Sequence, residues 1–293
     1  MRLSPSLPRL IATDLDGTLL RADHSVSPRT RRAIAEASRV GIEVLFVTAR
    51  PPRWMDPLVK IAGPHGKAII LGGGAVWDLH MRTAQEVVGF SDDATAKLIA
   101  DLRAAIPGIG LCLERVSEPV FDHVFAGIKV LEHIRDSWLV EAVETTLGRG
   151  LPPVAKILAL HPVDLAHARS MGPASAPVLP TADQQHFFDV VEQVTGKRAQ
   201  LAYSGAGGLA ELFAPHVSKA EALQRWCARR NIYAAEVWAF GDMPNDLPML
   251  TWAGRGFAVA NAHPEVLAAA DAVVPSNQDD GVAVTIQEAL AKA

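Results

Sequence analysis

Cysteine is nearly absent from this chain: Cys112 and Cys227 are the only two in 293 residues. Far apart and without metal or redox spacing, they exclude a disulfide framework and read as buried thiols of a reducing compartment. Aromatic residues make up only 6% while 49% of the chain is hydrophobic, the balance of an Ala/Val/Leu-rich soluble enzyme. There is no long run of one charge sign, and the net charge is −4. No footprint for nucleic acid or an anionic membrane follows from that balance. No stretch approaches the ~20 apolar residues needed to span a bilayer. The opening "MRLSPSLPRLIATD" lacks the apolar centre of a signal peptide, so a cytoplasmic location is expected. Internal repeats and low-complexity tracts are also missing, and the ten histidines are scattered without ligand spacing.

What is present is an alternation of strands and helices, and a length that predicts about two domains of ~150 residues. Residues 9–13 form a short apolar strand. "SPRTRRAIAEASRVG" follows, with Ser27 as N-cap, Pro28 at the first helical position and Gly41 just past the end. "IEVLFV" (42–47) is a continuous apolar run of the kind buried on both faces of a parallel sheet. "MDPLVKIAG" predicts a short helix and "KAIIL" (67–71) a third strand. After Gly74 the rhythm changes. A capped helix at "SDDATAKLIADLRAAIPG", the strand "GLCLERV", a helix around 134–147, the strand "VAKILALHP" and helices near 163–171 and 181–195 read as an α+β insert. From Ser218 the parallel pattern resumes, with strands at 236–240 and 256–260. The expected fold is a doubly wound, Rossmann-like parallel α/β core, residues 1–84 and 213–293, interrupted by a second module at 85–212.

In such sheets ligands bind beyond the carboxyl ends of the strands. Read to that end, the strands deliver Asp14 and Asp16 ("DLDGTLL"), Thr48 ("FVTAR") and Asp242 with Asp246 ("FGDMPNDLPML"). Four carboxylates gathered there repel one another unless a cation sits among them. Oxygen donors without nearby His or Cys favour Mg²⁺, and Lys219 in "HVSKAEAL" is a second candidate positive charge. Against this stands the common use of a strand-end Asp as a turn residue or helix cap. A calcium loop is excluded, because Gly17 falls at the fourth position rather than the sixth and Ser25 stands where the bidentate Glu belongs. "GAGGLA" (205–210) fits a dinucleotide fingerprint only loosely, since Pro215 interrupts the helix that should follow. "LGGGA" (71–75) reads as a tight strand-to-hairpin turn.

The four motifs, in this order, resemble those of the haloacid dehalogenase (HAD) superfamily, and the wide gap before the lysine is similar to its Cof-like, type IIB phosphatases. "VANAHPEVLAAADAVVPSNQDDGVAVTIQEAL" resembles their tail. The resemblance implies a HAD core with an inserted α/β cap of type C2B. It implies a Mg²⁺-dependent hydrolase of a small phosphorylated metabolite, such as a sugar phosphate, working through an aspartyl-phosphate. Asp14 is then the nucleophile and Asp16 the acid and base. Mg²⁺ is held by Asp14, the Asp16 carbonyl and Asp242; Thr48, Lys219 and Asn245 bind phosphate; Asp246 orients Lys219 or a metal-bound water. Arg50 either binds substrate or pairs with surface acids. The same fold also serves sugar phosphomutases, and a metabolite-binding protein with a relict site is the non-enzymatic alternative. The chain departs from the family where Gly73-Gly74-Ala75 replaces the usual Asn-Gly-Ala, and at Ala49 and Ala220, where Gly is common. Arg115, His123, Lys129 and Arg135 of the insert face either the site or solvent. Substrate identity and oligomeric state are not legible.

Overall fold

The computed structural model describes residues 7–62, 65–127, 139–161, 181–202 and 208–292. They fall into two compact units, one built from the described residues up to 85 and from 218 onward, the other from those between. Lys129, Arg135, the segment 163–171 and the first half of "GAGGLA" lie outside the described residues. Among those described, no helix is long and apolar enough to cross a membrane.

The first unit is organised on one sheet. In chain order its strands are β1 (Leu10–Thr13), β2 (Glu43–Val47), β3 (Lys67–Ile70), β4 (Ala75–Asp78), β5 (Thr83–Val87), β12 (Val237–Gly241), β13 (Arg255–Val259) and β14 (Ala272–Val274). In space they run β14-β13-β12-β1-β2-β3-β4-β5. From β14 to β3 every pairing is parallel, and β4 returns antiparallel to β3. The chain therefore builds outward from β1 to one side, then resumes at β12 on the other. That places the topological switch point between β1 and β12. Both strands are buried along their whole length, as their unbroken apolar runs require when both faces are covered.

The helices follow their caps. In α1 (Pro28–Arg39) the Ser27 side chain accepts the Thr30 N–H, and the stripe Thr30, Ala33, Ile34 and Ala37 is buried. In α5 (Lys219–Arg229) Ser218 accepts from the Glu221 N–H, and Lys219 shares the buried face with Ala222, Leu223, Trp226 and Cys227. A lysine at the head of a buried stripe is the local feature that makes the site. The short α6 (Leu247–Trp252) and α7 (Pro264–Ala269), with α8 (Gly281–Ala291), complete the unit. The short helix expected in "MDPLVKIAG" is instead a single 3₁₀ turn, Asp56–Leu58, with another at Pro52–Trp54 just before that stretch.

The second unit carries a six-stranded sheet of its own, ordered β10-β11-β9-β6-β7-β8. Its strands are β6 (Gly110–Glu114), β7 (Val120–Phe121), β8 (Leu139–Val140), β9 (Lys156–Leu160), β10 (Gln200–Ala202) and β11 (Ala210–Phe213). Helices α2 (Asp92–Ala105) and α4 (Ala182–Thr195) supply Leu98, Ile99, Leu102, Phe187 and Val191 to a core shared with Leu111, Leu113, Ile157 and Leu212. Cys112, Phe121, Phe125 and Leu158 form a separate, smaller cluster. The helix expected around 134–147 is not found in its described part: residues 139–140 are β8, followed by a 3₁₀ turn at Val143–Thr146. Thr145 and Thr146 turn their hydroxyls onto the carbonyls of Ala142 and Val143, which favours the tight turn over a longer helix.

Of the insert's candidate polar residues, His123 opens the one-turn α3 (His123–Ala126) and is exposed. Arg115 is fully buried. Its guanidinium donates to the Pro152 carbonyl and to Asp92 Oδ1, while the Gly148 N–H binds Asp92 Oδ2 at 2.6 Å. The Gly148 N–H, then Arg115, hold the Asp92 carboxyl below the usual range. Arg115 thus ties two loops to the start of α2 and serves the fold. Arg115→Met should lower unfolding free energy by about 1.5–3 kcal/mol, the range for hydrogen bonds that involve a charged group. Denaturant midpoints at unchanged m-value measure this; a loss below ~1 kcal/mol speaks against a bracing role.

Candidate active site

Parallel register carries the site residues to one edge. Thr13 pairs with Phe46 on one side and Phe240 on the other, so Asp14, Thr48 and Asp242 leave their strands within a residue or two of the same level. The Asp14 N–H continues the ladder onto the Phe240 carbonyl at 3.0 Å. Asp14, Asp242 and Asp246 are all buried, and one carboxylate oxygen from each lies within 4.8 Å of the others.

A single ammonium serves this group. Lys219 Nζ donates to Asp14 Oδ1 and to Asp246 Oδ1, each at 2.7 Å. The other oxygen of Asp246 accepts the backbone N–H groups of Asp242 and Met243, both at 3.1 Å. Asp246 therefore fixes the lysine and the turn that presents Asp242. The Thr18 hydroxyl donates to Asp242 Oδ1 at 2.6 Å. Two glycines permit this crowding. Any side chain at Gly17 (φ +79°) would strike the Asp242 carboxylate, and one at Gly241 would strike Asp246.

The charges are unbalanced. Burial alone would strip Lys219 of its proton, but the Asp14 and Asp246 carboxylates overcome that and raise its pKa. One ammonium cannot satisfy three carboxylates. Burial, joined by Asp246 and Asp16 against the pull of Lys219, pushes the Asp14 carboxyl up to about 7. Burial and its two acidic neighbours likewise raise Asp242 well above the ordinary carboxylate range.

These residues fit a hard divalent cation. Among the described residues neither Asp14 nor Asp242 has a hydrogen bond on its second oxygen, Oδ2. Asn245, in the same turn, has a buried Oδ1 with no hydrogen-bond partner. Unused hard oxygens around excess negative charge are the donor set Mg²⁺ prefers.

The remaining candidates are placed as follows. Thr48 is buried, and its hydroxyl accepts the Arg50 N–H at 3.1 Å. The expected gathering of four carboxylates is corrected to three. The Asp16 side chain is half exposed, and Arg50 grips both of its oxygens at 2.7 and 2.5 Å. His24 Nδ1 lies 3.4 Å from the same carboxylate. Leu15 after Asp14 is fully buried in the core, and Asp16 turns the other way, outward, where the guanidinium meets it. Arg50 pairs with the acid of the first motif rather than with surface acids.

Several supporting residues went unread in the sequence. Asn261 donates its amide N–H to the Gly17 carbonyl at 2.8 Å and accepts the Asn277 N–H at 3.0 Å. Asn277 donates to the Leu20 carbonyl at 2.7 Å, and the His263 N–H to the Asp242 carbonyl at 2.8 Å. The tail that contains them thus clamps the loop after β1. Their only signal was a set of Asn residues at loop positions, which turn chemistry explains equally well.

The carboxylate cluster lies at the switch point of a doubly wound sheet, where such α/β folds bind their ligands, and comparison with known proteins gives the family. The family model of the haloacid dehalogenase-like hydrolases matches residues 11–119 and 175–286. A putative phosphatase, YxeH of Bacillus subtilis, is 30% identical over 96% of this chain and 97% of its own. The pyridoxal phosphate phosphatase YbhA of Escherichia coli is 28% identical over 96% and 98%. Among solved structures, a phosphatase of the haloalkanoate (HAD) superfamily from Bacteroides thetaiotaomicron superposes with a TM-score of 0.76 at 18% identity, covering 97% of this chain and 95% of its own. The chain belongs to the haloacid dehalogenase-like hydrolases.

The acidic cluster sets a pH dependence. Between 3.8, the ordinary value for Asp, and about 7 the folded protein keeps a proton on Asp14 that the unfolded chain has released. Metal-free stability should therefore fall as pH rises through that window, and the fall should flatten in Asp14→Asn. Mg²⁺ needs the ionised carboxylates, so its stabilisation should be larger at pH 8 than at pH 5, reaching about 2.7 kcal/mol at a hundredfold excess over Kd. Melting curves across pH, with and without the ion, measure both effects.

Proposed function

We propose that this hydrolase is a Mg²⁺-dependent phosphatase acting on a small phosphorylated metabolite, with sugar phosphates the first class to assay. The observation that carries the reading is the shared Lys219 ammonium bridging Asp14 to Asp246 beside Asp242. It leaves one buried carboxylate poised against a site for a cation. Relatives named as phosphatases over nearly their whole length support it.

Asp14 Oδ attacks phosphorus, forming one P–O bond as the ester P–O bond breaks. The Asp16 carboxyl gives its proton to the departing alcohol oxygen. A water then attacks the phosphorus of the aspartyl-phosphate and passes its proton to Asp16. The bond from phosphorus to Asp14 breaks, releasing inorganic phosphate and restoring the nucleophile. Lys219 pairs with a phosphoryl oxygen and with Asp14, and the Thr48 hydroxyl and Asn245 amide hydrogen-bond the phosphoryl group. Asp14, Asp242 and the Asp16 carbonyl would hold Mg²⁺, which when bound offsets the charge on the transferring oxygens. Asp16 reaches the leaving group only after releasing Arg50, whose two N–H groups occupy both carboxylate oxygens.

A chromogenic phosphate ester tests this directly. Phosphate release should require Mg²⁺ and should drop by about a thousandfold or more in Asp14→Asn, with folding intact by circular dichroism. Unchanged turnover in that variant overturns the assignment. Transfer of the phosphoryl group to a sugar, with no phosphate released in its absence, would instead identify a mutase.

A further inference from the structure

The turn after β3 is one of the places in the core where the chain departs from its family's motif, and the structure gives this departure a purpose. Gly73 sits at φ +108° with its Cα against the peptide joining Ser218 to Lys219. A Cβ built there stands 2.6 Å from the Ser218 carbonyl carbon and closer still to its oxygen, inside the 3.0 Å limit that real Cβ atoms respect. The obstacle is backbone, so no side-chain rotation relieves it. On the far side, an Arg225 guanidinium N–H from α5 reaches the Gly73 carbonyl at 3.4 Å. The Leu71–Gly73 turn is buried throughout. The first turn of α5 is therefore seated directly on a bare stretch of main chain, and Lys219 is the first residue of that helix.

We propose that Gly73 is a positioning residue for Lys219: the missing side chain lets α5 settle to the depth at which its ammonium meets both Asp14 and Asp246. The family's usual Asn is excluded here by the same contact, so its loss is part of how this chain places its lysine. The ammonium has little latitude. It stands at the positive end of the α5 dipole, where a cation is disfavoured, and is held there by two 2.7 Å bonds. A displacement of about 1 Å at such a group can cost on the order of a hundredfold in rate.

For its kinetic readout the proposal rests on the phosphatase reading above. The test compares Gly73→Ala with Gly41→Ala. Gly41 also has positive φ, +85°, but a Cβ there meets nothing within 4 Å, so it reports backbone strain alone. Gly73→Ala should lower kcat by at least about tenfold and raise the inhibition constant of inorganic phosphate in parallel, while Gly41→Ala leaves both within about twofold. Equal losses in the two variants, or wild-type kcat in a folded Gly73→Ala, overturn the proposal. If Gly73→Ala does not fold, Arg225→Met frees the Gly73 carbonyl without adding an atom to the contact. It should lower kcat about threefold, and an unchanged kcat overturns the proposal. A crystal structure of Gly73→Ala needs no turnover: Lys219 Nζ should lie beyond 3.5 Å from Asp14 Oδ1 or Asp246 Oδ1, against 2.7 Å. Unmoved bonds refute the role of Gly73, whereas an inert wild type would refute only the phosphatase reading.

Discussion

One ammonium stands among three buried carboxylates, and the first unit is arranged around that imbalance. A buried pair such as Lys219 and Asp14 gains little stability, because desolvating two ions consumes most of their attraction. Here the position adds a further cost, since Lys219 occupies the positive end of its own helix. Asp246 makes the arrangement tenable. It accepts from the lysine with one oxygen and from two backbone N–H groups with the other, so its own bonding is satisfied within the protein. Asp14 and Asp242 are not satisfied in this way. The negative charge left over is the property that a divalent cation, and then an anionic substrate, can use.

Convergence of side chains at the switch point demands small residues wherever main chain and carboxylate meet. Gly17 gives way to Asp242, Gly241 to Asp246, and Gly73 to the start of α5. Space made by glycine leaves loops that must be held by other means. The loop after β1 is fixed through its carbonyls, which accept from Asn261 at Gly17 and from Asn277 at Leu20. The cluster itself is assembled from both ends of the chain, Asp14 from one and Lys219, Asp242 and Asp246 from the other. This is the expected outcome when a parallel sheet places its first strand at the centre.

Much of this was legible in the sequence, for identifiable reasons. Strands buried on both faces are continuous apolar runs, so β1, β2 and β12 were readable, and the polar residue ending each run marked the catalytic edge. Capping residues gave both ends of α1 within a residue and the start of α5 at Ser218. Asp14, Asp242, Asp246 and Lys219 were identifiable because each stands next to such a landmark. The side-chain direction of Asp16 was not, because one short loop decides whether it joins the cluster or meets Arg50. The bracing by Asn261 and Asn277 was also hidden: an Asn in a loop looks the same whether it bonds its own turn or a segment more than 200 residues away. In the insert, buried Arg115 could not be told from a surface arginine, since pattern carries no information about a side chain that serves two distant loops.

The two carboxylates of the first motif show how environment divides roles between identical groups. Asp14 is 5% exposed and meets the ammonium; the Asp16 side chain is 47% exposed and meets a guanidinium. In the proposed reaction the first attacks phosphorus in its ionised form. The second keeps access to solvent, as a group that must exchange protons with an alcohol and then a water requires. Its bidentate grip by Arg50 leaves neither oxygen free for that exchange. If Asp16 is the acid and base of the proposed reaction, the pair has to open in each turnover, and an anion that competes for Arg50 would open it. The guanidinium side chain, only 12% exposed, is anchored well enough to stay in place while the carboxylate leaves. The mobile member of the pair is then the one whose chemistry requires motion.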